Sequence, residues 1–197
     1  MGKIYCVMGK SSTGKDTIYR ELVQNETLKL ETIVPYTTRP IRGGETPDKE
    51  YHFVDEAVVS ALEKQNKIVE LRAYNTVYGV WKYFTVDDDG LDLEHHNYIY
   101  IVTLEGYLKI RDYFGRGRVV PIYIEVEDGE RLLRAIARER TQSAPQYEEM
   151  CRRFLADAKD FSEEKLKEGG ITRRFENRNL QETIEQIVHY IKEDYEG

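Results

Sequence analysis

The stretch MGKSSTGKDT (Met8–Thr17) decides how this chain of 197 residues folds. Gly9, Gly14 and Lys15 stand at the spacing of a phosphate-binding loop, which reads Gly, four residues, Gly, Lys, then Ser or Thr; here the last place holds Asp16. Such a loop works because glycines let consecutive backbone N–H groups turn inward onto phosphate oxygens, at a helix N-terminus whose dipole favours anions. Lys15 adds a point charge, and Ser11, Ser12, Thr13 and Thr17 complete the cradle. Asp16 brings a carboxylate where a hydroxyl would normally reach Mg²⁺. It can hold that ion or one of its waters. The plainer alternative is that the two glycines only make a tight turn and Asp16 caps the helix.

The flanks suit the loop. KIYCVMG (Lys3–Gly9) is a short apolar run closed by glycine, which predicts a buried strand. DTIYRELVQN, which follows Lys15, predicts a helix with Ile18, Leu22 and Val23 on one face. Asn97–Thr103 and Val119–Val126 are too continuously apolar to be half-exposed edge strands, and each leads into a helical pattern. NLQETIEQIVHYIKEDY predicts a last amphipathic helix with Leu180, Ile184, Ile187, Val188 and Ile191 on its apolar face. Strands alternating with helices predict an α/β fold of three layers, a parallel sheet covered on both sides. Two segments break the alternation. Residues 35–84 mix short strands, one helix and a glycine-rich turn, which predicts an inserted lobe; residues 138–153 are charged and contain TQSAP, a loop signal. Residues 1–34, 85–137 and 154–197 remain as the core of a single domain.

A net charge of −7 argues against nucleic acid as a partner, because that role needs a basic face. No apolar run approaches the roughly 20 residues of a membrane span. Cys6 sits where an N-myristoylation signal needs Ser or Thr. Cys6 and Cys151 lie far apart, no signal peptide precedes the first strand, and cytoplasm is the expected compartment.

YTTRPIRGGETPDKEYHFV (Tyr36–Val54) strongly resembles the acceptor-binding segment of guanylate kinases, with Thr37, Thr38, Arg39, Arg42, Gly44, Glu45, Tyr51, Phe53 and Val54 in register. The resemblance implies that Arg39, Arg42 and Tyr51 clamp an acceptor's phosphate, a task suited to charge-assisted bonds. IVELRAYNTVYGV (residues 68–80) is similar to the family's segment in which a glutamate reads guanine and a Tyr-Gly pair closes the phosphate site. Glu70, Tyr78 and Gly79 match, with the interval between Glu70 and Tyr78 one residue short. RERTQSAPQYEEMCRRF resembles the lid, which puts Arg138 and Arg153 on the phosphates, and Asn177 falls where the family has an asparagine near adenine.

The family likeness therefore implies a P-loop kinase fold with an acceptor lobe and a mobile lid. It implies ATP and Mg²⁺ as cofactors, Asp16 as the metal residue, and Lys15, Arg138 and Arg153 as the catalytic cations. The implied reaction is phosphoryl transfer to a nucleoside monophosphate, GMP or dGMP first, with small nucleotides as the partners. Three departures fall at the acceptor site. Pro35 replaces a serine, Val80 follows the Tyr-Gly pair in place of Ser or Thr, and Thr103, retained as an acceptor residue, replaces an aspartate. Each removes a polar group, so the phosphate grip is better kept than the base grip. Two further readings stand beside this one: a related kinase with a non-guanine acceptor, and a non-catalytic module that docks a peptide in the acceptor cleft. Such modules typically lose the phosphate loop, which survives here in Gly9, Gly14 and Lys15.

Overall fold

A computed structural model describes residues 2–76, 78–88 and 90–196. The apolar run before the loop is β1 (Ile4–Met8), buried along its length, and Gly14 opens α1 (Lys15–Gln24). After β2 (Leu30–Thr32) come β3 (Tyr36–Thr37), β4 (His52–Phe53) and α2 (Glu56–Lys64), whose N-cap Asp55 accepts from the N–H groups of Ala57 and Val58. A long hairpin follows, β5 (Ile68–Thr76) and β6 (Gly79–Val86). The chain then alternates through β7 (Asn97–Ile101), α3 (Leu104–Phe114), β8 (Val119–Glu125) and α4 (Asp128–Arg140). It ends with α5 (Tyr147–Asp160), α6 (Glu163–Glu168), β9 (Arg174–Glu176) and α7 (Leu180–Glu196).

The core sheet runs β2-β7-β1-β8-β9 with every pairing parallel. β1 lies at its centre between β7 and β8, the positions their unbroken apolar runs predict. Successive side chains of β1 point to opposite faces. Ile4, Cys6 and Met8 pack with Tyr107 and Ile110 of α3 and Leu166 of α6, while Tyr5 and Val7 meet Ile18 and Leu22 of α1 and Ile187 and Ile191 of α7. These are the three expected layers. Leu180 departs from its expectation. It is 41% exposed, and buried Thr183 fills that end of the helix stripe, its hydroxyl donating to Asn179 O at 2.8 Å.

The inserted lobe is a second sheet in the order β4-β3-β6-β5, and β6 continues to Val86, just past the expected edge of the lobe. One face packs Phe84 and Val86 onto Val59 of α2. The period-2 alternation puts Glu70, Arg72 and Tyr74 of β5, with Trp81, Tyr83 and Thr85 of β6, on the other face. That face is turned to the phosphate loop.

Candidate active site

Both loop glycines are required. A Cβ at Gly9 would lie 2.5 Å from Ile124 O, and one at Gly14, at a left-handed φ of +85°, would lie 2.6 Å from Asn177 Nδ2. Ser12 also has a positive φ, 65°, and its buried hydroxyl has no hydrogen-bond partner among the described residues. Strain and an unmet hydroxyl mark a backbone shaped for something other than its own stability.

Four side chains hold this shape from beneath. Asn177 Nδ2 donates to Thr13 O at 2.8 Å, and Thr13 Oγ1 donates to Lys10 O at 2.9 Å. Arg131, only 1% exposed, donates from Nε to Ser11 O and from Nη2 to Asp157 Oδ2, both at 2.9 Å. The same Asp157 oxygen accepts from Ser11 N at 2.7 Å. Arg131 also reaches Asp128 from Nη1 and stacks over the Phe154 ring. Asn177, expected beside adenine, is thus engaged with the loop backbone.

The N-cap of α1 is Gly14, which makes no side-chain capping bond. The capping alternative for Asp16 therefore falls. Its carboxylate sits in the first helical turn with its side chain 76% exposed, 3.2 Å from Lys15 Nζ. Thr17 is half-buried and donates its N–H to Gly14 O. Among the described residues no cluster of His, Cys, Asp and Glu could hold a metal alone. One exposed carboxylate beside Lys15 fits an ion that arrives on phosphates and keeps most of its waters.

Lys15 and Asp16 open onto a cleft of about 1050 Å³, whose far wall includes Tyr51, Arg72, Tyr74, Trp81 and Tyr83 of the lobe. Thr103 and, from α5, Arg152 and Arg153 complete it. So Lys15, Asp16, Tyr51, Thr103 and Arg153 meet around one space. Arg153 also borders a narrow recess with Ser11, Ser12 and Arg138, and so faces both the loop and the cleft. The Thr103 hydroxyl caps α3, accepting from Gly106 N at 3.1 Å. Hydrogen bonds from Arg152 and Arg153, at 2.6 to 2.8 Å, hold the Glu149 carboxyl down at a pKa of about 2.

Other expected residues are not on the cleft wall. Arg39 is 3% exposed, its fork spent on Glu45 at 3.0 and 2.8 Å, with its guanidinium over the Tyr51 ring. Those bonds lower the Glu45 pKa. Arg42 is exposed, and its backbone N–H donates to the same glutamate. Arg138 lies 3.9 Å from Glu139. Tyr78, 82% exposed, stacks on Trp81 with centroids 6.1 Å apart and planes 7° apart.

Glu70 is buried with both oxygens engaged. Arg72 donates from Nε to Oε2 at 3.0 Å and from Nη2 to Oε1 at 3.2 Å. Thr85, directly across the hairpin, donates to Oε1 at 3.0 Å. Burial opposes the charge on Arg72, but Glu70 outweighs it and the Arg72 pKa is raised.

Sequence reasoning missed Arg72, Arg131, Arg152, Asp157 and the aromatic wall. Arg72 was signalled, since residues two apart on a strand share a face. Nothing local marks Arg131 or Asp157 among the many charges of α4 and α5.

The family model described as guanylate kinase matches residues 1–194. Among similar curated proteins, the guanylate kinase of Mycoplasma pneumoniae is 29% identical over 134 residues, which cover 67% of this chain and 54% of that protein. That of Syntrophomonas wolfei is 27% identical over 125 residues, or 62% of this chain and 61% of that protein. That of Clostridium tetani is 27% identical over 164 residues, or 82% of this chain and 73% of that protein. The matched stretch thus spans a little over half the length of the first two. The solved guanylate kinase of Anaplasma phagocytophilum superposes with a TM-score of 0.64 at 21% identity, over 98% of this chain and 86% of that one, a likeness of fold.

Proposed function

Because the chain belongs to the guanylate kinase family, we propose that it transfers the terminal phosphoryl group of ATP to a nucleoside monophosphate, GMP or dGMP first. The observation that carries this reading is the single cleft shared by Lys15 and Asp16 of the loop, Tyr51 of the lobe and Arg153 of α5. Phosphoryl transfer passes through a loose transition state, so positioning and charge neutralisation supply most of the catalysis. The turned backbone of Gly9 to Gly14 receives the ATP phosphates, with Asn177 on the adenine side. Lys15 neutralises the migrating group from the loop, and Arg138 and Arg153 do so from the lid. Mg²⁺, when bound, adds charge neutralisation across the phosphates, and Asp16 holds it or its waters.

Arg39, Arg42, Tyr51 and Tyr78 grip the acceptor phosphate. For Arg39 this exchanges one charge-assisted partner, Glu45, for another, so the fork never stands empty. Residues 35–84 and 138–153 close on the core as lobe and lid, excluding water that would hydrolyse ATP. Among the described residues no helix is long and apolar enough to cross a membrane. The reading sets the reaction in the cytoplasm, within purine nucleotide metabolism.

A second reading, a related kinase with a non-guanine acceptor, draws on the sealed Glu70 carboxylate. An ATP-consumption screen of the purified protein against GMP, dGMP, AMP, CMP, UMP and sugar phosphates separates the two. GMP or dGMP should lead. A faster AMP, CMP or sugar phosphate would remove the guanine reading.

A further inference from the structure

A carboxylate reads guanine through the donors N1–H and the 2-amino group. In this chain the Glu70 side chain is 0% exposed and already receives three hydrogen bonds. Reading guanine with Glu70 would displace its bonds to Arg72, in which both partners are charged, for bonds in which only the carboxylate is. The arginine is placed differently. A guanidinium is planar and carries five N–H donors. Arg72 gives its Nε edge to Glu70, which leaves both hydrogens of Nη1 and the outer one of Nη2 without a partner among the described residues. Those outer hydrogens form a second fork at the end of a side chain that lines the cleft.

Two adjacent acceptor atoms fill such a fork. Guanine offers O6 beside N7, whereas adenine pairs N7 with a donor amine, cytosine offers an amine, and the thymine-like pyrimidines offer one carbonyl beside carbon. A phosphate would also fit the fork, but Glu70 directly behind it disfavours a dianion. The walls beside Arg72 are the rings of Tyr74, Trp81 and Tyr83, suited to a flat base. We propose that Arg72, steadied by Glu70, is the specificity-determining residue for the base, and that it reads the O6 and N7 edge of a 6-oxopurine. This rests on the acceptor being a nucleoside monophosphate.

The proposal separates from a Glu70 reader at two atoms. Inosine monophosphate lacks the 2-amino group but keeps O6 and N7; the 7-deaza analogue of GMP keeps the amino group and lacks N7. Steady-state kinetics of the native protein should give inosine monophosphate a kcat/KM within about threefold of GMP. The 7-deaza analogue should lose roughly tenfold or more, the scale of a bidentate base contact. Arg72→Lys keeps a cation against Glu70, and so the fold, but has no fork. In that variant the preference for GMP over its 7-deaza analogue should collapse towards one, with the thermal melt reporting that the protein is intact. A tenfold loss with inosine monophosphate, a 7-deaza analogue equal to GMP, or an unchanged preference in Arg72→Lys overturns the assignment while leaving the kinase intact. If no purine monophosphate is phosphorylated, the acceptor reading falls first and takes this one with it.

Discussion

Around the phosphate loop the anchoring contacts span long stretches of chain: Asn177 to Thr13 across 164 residues, Asp157 to Ser11 across 146, Arg131 to Ser11 across 120. In the lobe and lid the cations rest on carboxylates close by in sequence, Arg39 on Glu45 six residues away, Arg72 on Glu70 two away, Arg153 on Glu149 four away. The loop contacts are buried or part-buried and exist only once the whole core has folded. The lid pairs lie at the surface, where an ion pair contributes about 0 to 1 kcal/mol and is easily given up. The contrast assigns two strategies to one cleft. The loop end is built in advance, with its entropy already spent in folding. The lobe and α5 keep their cations neutralised locally; on the proposed function a phosphate takes the carboxylate's place at Arg39 and Arg153, while Glu70 stays on Arg72.

The sharpest way to break this contrast is at Lys15, the functional group the loop does not need for its own shape. Lys15→Ala should lower kcat on the order of 10²- to 10³-fold while leaving the thermal melt unchanged; a large drop in melting would mean that the loop depends on its ligand-binding charge. Next is a pair of arginines. Arg131→Ala leaves Asp157 without its buried partner and should cost about 3 kcal/mol in urea unfolding. Arg153→Ala should slow transfer yet cost under about 0.5 kcal/mol. Equal costs would erase the distinction between the two ends.

Asp16→Asn trades a charged ligand for a neutral one, a loss of about 1 kcal/mol that raises the Mg²⁺ needed for half-maximal rate about fivefold. An unchanged Mg²⁺ titration would reduce Asp16 to a partner for Lys15. The smallest effect belongs to Glu149→Gln, under about 0.5 kcal/mol because the pair is mostly exposed. The Glu149 pKa lies at about 2 against a usual 4.5, so its stabilisation is fully present above the higher value and is lost as pH falls towards the lower. The melting gap between the native protein and Glu149→Gln should close across that window. A gap that persisted at the acid end would place the effect elsewhere in the lid.

The core was legible because burial on both faces leaves a sheet strand no choice but unbroken apolar residues, as in Ile4–Met8 and Asn97–Ile101. The loop was legible because its glycines are dictated by backbone geometry, which leaves a fixed spacing in the sequence. The candidate acceptor residues were legible only as an inventory. Arg39, Arg42 and Glu70 could be named, but whether each points at a ligand or at a neighbour depends on pairings that sequence spacing merely permits. Leu180 shows the same limit from the apolar side, where the position is right for the stripe but Thr183 takes the buried place. Arg131 and Asp157 were invisible, since each is meaningful only through a partner more than a hundred residues away.

Trp81 is the only tryptophan in the chain, and it stands on the lobe wall of the cleft with Tyr78 flat against it. Its indole emission therefore belongs to one half of the cleft and to nothing else in the molecule. A base entering beside it displaces water and moves that emission to the blue, or quenches it by stacking. A nucleotide that fills only the phosphate loop leaves the spectrum as it was. Occupancy of the two ends can thus be followed separately in unlabelled protein, by the colour of a single ring.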